Sequence, residues 1–144
     1  MHAIPDPNAD ADAPKTRIYV CVTCRAEGQN LEPKEARAGY ILHEALIRDP
    51  SLPADAFEII PLECMSVCKR PCAITYAAPG KWTYVYGGLI EADNASLTAQ
   101  GARLYAQSPD GIVAWKARPP ALRKGVIARI PPLTPLHPDR KSNP

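Results

Sequence analysis

Apolar and polar positions alternate in two rhythms along this chain, and each rhythm predicts an element. Residues 16–22, TRIYVCV, are β-branched and aromatic and predict a buried strand. A polar loop, RAEGQNLEP, follows. PKEARAGYILHEALIRD (33–49) then has helical spacing through Leu42, Ala45 and Leu46. Pro33 suits its first turn, Glu32 and Glu35 its positive end, and Arg48 its negative end. Pro50 and Pro53 stop it. AFEIIPLE (56–63) predicts a second strand. AITYAA and WTYVYG predict two more, joined by the hairpin signal PGK. Asp93 or Asn94 can cap a helix running to about Gln107, with Leu97, Gly101, Leu104 and Tyr105 on one face and Gly111 marking its end. Trp82, Tyr84 and Tyr86 alternate, so they share a sheet face, with core packing the simplest use for it.

This order is β-α-β, then a hairpin, then a helix. A short β-α-β unit makes its strands parallel. The hairpin adds an antiparallel pair, and the last helix covers a face. The expected fold is α/β and thioredoxin-like, a single domain over 15–111 with an extended Pro-rich C-terminal tail. Residues 1–14, rich in Asp, Ala and Pro, are expected to be a disordered leader. Trp115, Val126, Ile127 and Ile130 are too apolar for a free tail, so 112–132 are expected to wrap the domain, Trp115 packing against it, with 133–144 flexible. Pro119, Pro120, Pro131 and Pro132 favour extended backbone there.

Composition narrows the chemistry. The formal net charge of the 144 residues is only +2, so the whole chain is no obvious polyanion binder. The charge is uneven: residues 1–108 hold ten basic and thirteen acidic groups, residues 109–144 seven and two. The basic end could dock an acidic partner, whereas sparse aromatics argue against nucleic acid. No apolar run is long enough to span a membrane, and the acidic N-terminus does not read as a secretory signal. A cytoplasmic protein with reduced thiols is the expectation.

All five cysteines fall in two stretches, Cys21 and Cys24 in YVCVTCR, and Cys64, Cys68 and Cys72 in CMSVCKRPC. An odd count argues against a closed disulfide framework. Both stretches follow parallel strands, so the predicted fold brings them to one end of the sheet. Converging thiolates can hold Zn or an iron–sulfur cluster. Lys69 and Arg70 lie beside Cys68, where they would favour reduction of an anionic cluster, or are simply solvated. No Ser-His-Asp set or phosphate loop stands out. His43 reads as structural or exposed, and no histidine as a ligand.

CMSVCKRPCAITYAAPGKWTYVYGGL resembles the second half of the thioredoxin-like [2Fe-2S] ferredoxins, and RIYVC resembles their first strand. From about Arg17 to Pro132 the chain is more closely similar to a bacterial family of predicted metal-binding proteins of unknown function, domain-of-unknown-function family 1636. CMSVCKRPC, APGKWTYVYGGL, ARLYAQSPDGIV and LRKGVIARIPP carry that similarity. The ferredoxin pattern maps onto Cys21, Cys64 and Cys68. It departs at the second ligand, which that family places roughly ten residues after the first. The fourth ligand here is Cys24 or Cys72, with Cys24 favoured because two Cys pairs give balanced geometry.

The resemblance implies a [2Fe-2S] protein that carries electrons or senses redox state and catalyses nothing itself. Its redox partner would lie in cobalt or cobalamin metabolism, and a homodimer stays open. Two other readings stand beside it: a protein binding or delivering Zn or cobalt, and a dithiol oxidoreductase using Cys21 and Cys24.

Overall fold

The computed structural model describes residues 15–23, 35, 37–66, 72–89 and 94–133. The leader 1–14, Cys24, Cys68, Lys69, Arg70 and the tail beyond Leu133 lie outside the described residues.

Five strands form one sheet in the order β2-β1-β3-β4-β5. They are β1 (Thr16–Cys21), β2 (Phe57–Leu62), β3 (Ile74–Ala77), β4 (Thr83–Tyr86) and β5 (Val126–Ile130). Strands β1 and β2 are parallel, in a register that pairs Ile18 with Ile59 and Cys21 with Leu62. Strand β3 lies antiparallel on the other side of β1 and forms a hairpin with β4. A parallel β-α-β pair extended by an antiparallel hairpin is the thioredoxin-like arrangement, as the sequence predicts. Pro61 in β2 has no N–H to donate, which suits a strand at the sheet edge.

Helices α1 (Ala38–Ile47) and α2 (Asn94–Gln107) both contact β1 and each other. Helix α1 buries Gly39, Leu42 and Leu46. Gly101 and Tyr105 of the expected α2 face are buried, but Thr98, Ala99 and Ala102 complete it, while Leu97 and Leu104 lie half-buried at its margins. The reason is volume. Tyr76, Tyr84 and Tyr86 stand on the sheet face below, with neighbouring ring centroids 5.5–5.7 Å apart, and Tyr105 joins them from α2 at 5.8 Å from Tyr76. Large rings on the sheet need small residues on the helix.

Gly101 is the tightest of these contacts. A Cβ added there would lie 2.5 Å from the Tyr76 hydroxyl and 2.5 Å from Leu122 Cδ1. The Leu122 methyl can swing aside, but the Tyr76 hydroxyl is fixed by donating to the Thr98 carbonyl at 2.6 Å. Alanine normally favours a helix over glycine by ~1 kcal/mol. Gly101→Ala is nevertheless expected to destabilise the fold by about 1–3 kcal/mol in urea melts, because overpacking outweighs propensity. The loss should shrink in a Tyr76→Phe background, where the clashing oxygen is gone.

The tyrosine cluster also sets the alkaline limit of the fold. Burial pushes Tyr105 up to about 12 and raises Tyr76 and Tyr86 well above the usual range. An unfolded chain releases these protons near pH ~10, while the folded chain keeps them. Their contribution to stability is therefore intact below pH ~10 and is lost as pH rises through the folded values. The tyrosinate absorbance of Tyr76, Tyr86 and Tyr105 should appear together with unfolding. Ionisation of all the tyrosines near pH ~10 in a still-folded protein would contradict this packing.

The C-terminal segment enters the sheet itself. A single 3-10 turn (Trp115–Ala117) precedes α3 (Pro120–Lys124), and Gly125 leads into β5, antiparallel to β4. Pro120 does not prevent this helix, since the first helical position needs no N–H. Trp115, expected against the domain, is 58% exposed, and the Arg123 guanidinium lies 4.7 Å from its ring. Val113 and Leu122 are the buried anchors instead.

Candidate metal centre

The thiol site begins with strand register. Cys21 closes β1 beside Leu62, the last residue of β2, so Cys64 follows two residues beyond. Strand β3 runs the other way and pairs Ile74 with Val20, so Cys72 precedes it at the same end. The structure thus brings Cys21, Cys64 and Cys72 to one end of the sheet.

Local hydrogen bonds hold the loops there. The Cys21 N–H donates to the Ala73 carbonyl at 3.1 Å, and the Val22 N–H to Leu62 at 2.8 Å. The Thr23 hydroxyl donates to the Glu63 carbonyl and so ties the two cysteine-bearing loops together. The Cys21 thiol points to that carbonyl at 3.8 Å and lies 3.6 Å from the Thr23 hydroxyl. Met65 Sδ accepts the Thr75 hydroxyl at 3.2 Å, seating the second loop on β3.

The three thiols differ in setting. Cys21 is buried at the end of its strand. Cys64 is exposed, and its Sγ accepts the Ser66 N–H at 3.2 Å across a turn that puts Ser66 at φ 63°. Cys72 is fully buried in the core, and its carbonyl accepts the Leu89 N–H at 3.4 Å. Burial pushes its thiol up to about 11, with Cys21 adding to the rise. Sequence reasoning missed Thr23 and Ser66. Their hydroxyl and backbone roles had a visible signal, since each lies two residues after a cysteine.

The donor chemistry fits a soft metal. Thiolates bind Zn and iron–sulfur clusters, and N–H donors to sulfur belong to such sites. Among the described residues, no three His, Cys, Asp or Glu side chains gather closely enough to hold a metal ion. Cys24 and Cys68, needed for four thiolates beside Cys21 and Cys64, lie outside those residues. His43 is in α1, 3.5 Å from the Glu44 carboxylate. Of the alternating aromatics, Tyr84 and Tyr86 are core, while Trp82 is half-buried beneath Arg129, 4.8 Å from its ring. No described helix is long and apolar enough to cross a membrane.

Fold and site define a thioredoxin-like α/β protein with Cys21, Cys64 and Cys72 at the end of the sheet where its parallel strands finish. The chain belongs to the family described as "Protein of unknown function (DUF1636)", whose model matches residues 18–132. No curated protein matches the chain. Among solved structures it is similar to a thioredoxin-like [2Fe-2S] ferredoxin from Aquifex aeolicus. That likeness has 18% identity and a TM-score of 0.43, covering 83% of this chain and 97% of that one.

Proposed function

We propose that this chain is an iron–sulfur protein that holds a [2Fe-2S] cluster on Cys21, Cys24, Cys64 and Cys68 and carries electrons or senses redox state. The observation that supports it most is the pairing of Cys21 with Leu62, which sends both cysteine loops off the same end of the sheet. The Ser66 N–H on Cys64 Sγ supports it too, since such a donor stabilises negative charge on sulfur. The cluster would supply one-electron chemistry. The chain's part is to release the thiol protons, bury one side of the site at Cys21 and expose the other at Cys64. Lys69 and Arg70, adjacent in sequence to Cys68, would favour the reduced, more negative state. Cys72, fully buried, is the spare thiol in this reading. By the family resemblance, the electron partner is sought in cobalt or cobalamin metabolism.

The exposure of Cys64 favours one alternative, a protein that binds or delivers Zn or cobalt and needs an accessible sulfur for handover. The dithiol reading is weaker. An attacking thiol must reach a partner's disulfide, and Cys21 is only 3% exposed.

Spectroscopy on protein purified without air separates these readings. A red-brown protein with a rhombic electron-spin signal on reduction is expected. A colourless, spin-silent zinc protein would favour delivery, and metal-free protein that cycles a disulfide would favour the dithiol reading.

A further inference from the structure

The two edges of the sheet have opposite character. The β2 edge is interrupted by Pro61, and Asp55, Glu58 and Glu63 lie in or beside that strand. The β5 edge has no proline between Val126 and Ile130. Among the described residues, none bonds to those five beyond the ladder to β4, so the outer N–H and C=O groups of β5 face no described partner. Open edges of this kind are templates for another strand.

Charge selects the strand. Residues 112–133 carry Lys116, Arg118, Arg123, Lys124 and Arg129 and no acidic residue. Lys116, Arg118 and Arg123 form no ion pair with a carboxylate among the described residues, while Arg129 lies near enough to Asp110 to help lower its pKa without a direct ion pair. Arg118 and Arg123 are held by carbonyls, those of Val113 and Leu122 for the first and of Trp115 and Lys116 for the second. Carbonyls fix these guanidinium groups in place without neutralising them. Exposed Ile130 and Leu133 add apolar contact at the far end of the strand.

We propose that the outer edge of β5 docks an extended acidic segment of a partner protein as a sixth strand. The edge presents alternating donors and acceptors, which a peptide backbone matches and a phosphate backbone, offering acceptors alone, does not. The rings that would stack nucleic-acid bases are occupied, Trp115 by Arg123 and Trp82 by Arg129. A second copy of this chain would offer its acidic β2 edge, but Pro61 breaks the row of donors there. The inference does not depend on the metal, so failure here leaves the cluster reading intact and the converse also holds.

Fluorescence anisotropy of labelled synthetic peptides on the full chain tests it. A peptide alternating Glu and Val is expected to bind at low salt, and binding should weaken steeply as salt rises. A Glu-Pro alternation keeps the charge but has no N–H at half its positions, and should bind at least about tenfold more weakly. Arg129→Glu should lose about tenfold or more. Because Arg129 also lies on Trp82, Lys116→Glu at an exposed position serves as the second variant, with circular dichroism reporting the fold of both. The proposal is overturned if Glu-Val does not bind, if Glu-Pro binds equally, or if both folded variants bind like the parent. Tighter binding of poly-uridylate, or salt-sensitive self-association abolished by Arg129→Glu, would overturn it in favour of RNA or a second copy.

Discussion

A chain ended after Pro109 is expected to lose most of its stability. The cut removes Val113 and Leu122, both buried, and the whole of β5. Each fully buried aliphatic side chain contributes about 1.5–3 kcal/mol, so the two together account for roughly 3–6 kcal/mol. Small domains have only about 5–15 kcal/mol in total. The cut also strips the core cover from Tyr84, whose hydroxyl accepts the Val113 N–H at 3.3 Å and whose ring lies 5.5 Å from the Arg118 guanidinium. Strand β4 would become a raw hydrophobic edge, so aggregation should accompany unfolding. Of the described residues, a chain ended after Pro132 loses only the fully exposed Leu133, and it should melt like the full chain. Equal thermal midpoints for the Pro109 and Pro132 truncations would show that the segment is not part of the core.

Loss of metal on cysteine substitution is the second large effect. Cys64→Ser is the cleaner test, because Cys64 is exposed and its replacement leaves the core unchanged. It is expected to abolish the cluster while the urea midpoint of the metal-free protein stays put. Cys21→Ser should abolish it too, at some cost to the fold, since it places a hydroxyl in a buried position. Cys68→Ser should behave like Cys64→Ser. Of Cys24→Ser and Cys72→Ser only one should remove the cluster, and Cys24 is expected to be that one. If each single variant keeps a full cluster and the double variant loses it, the two thiols exchange as ligand.

The sheet core and the placing of Cys21, Cys64 and Cys72 at one end of it were legible in the sequence because both depend on local patterns. Alternation in TRIYVCV and AFEIIPLE and the PGK turn are enough to give β1, β2 and the hairpin, and a parallel pair necessarily sends its following loops to one end. The face of α2 was half legible: Gly101 and Tyr105 are buried as the spacing predicts, but the tyrosines opposite put Ala99 and Ala102 in the core where hydrophobicity pointed to Leu97 and Leu104. That is a property of the partner surface, absent from the helix's own pattern. Strand β5 was missed for a related reason. VIARI is short, enclosed by prolines and basic residues, and becomes a strand only because β4 offers an edge to pair with. Trp115 misled as a large apolar residue, yet an arginine that lies on its ring lets it remain at the surface.

Iron and acid-labile sulfide, measured together on full-length protein purified without air, test the central claim most directly. The account predicts both in equal amounts, retained through gel filtration and lost together in Cys64→Ser. Full-length protein that contains stoichiometric zinc and no sulfide, and takes up no cluster when supplied with iron and sulfide, would contradict it.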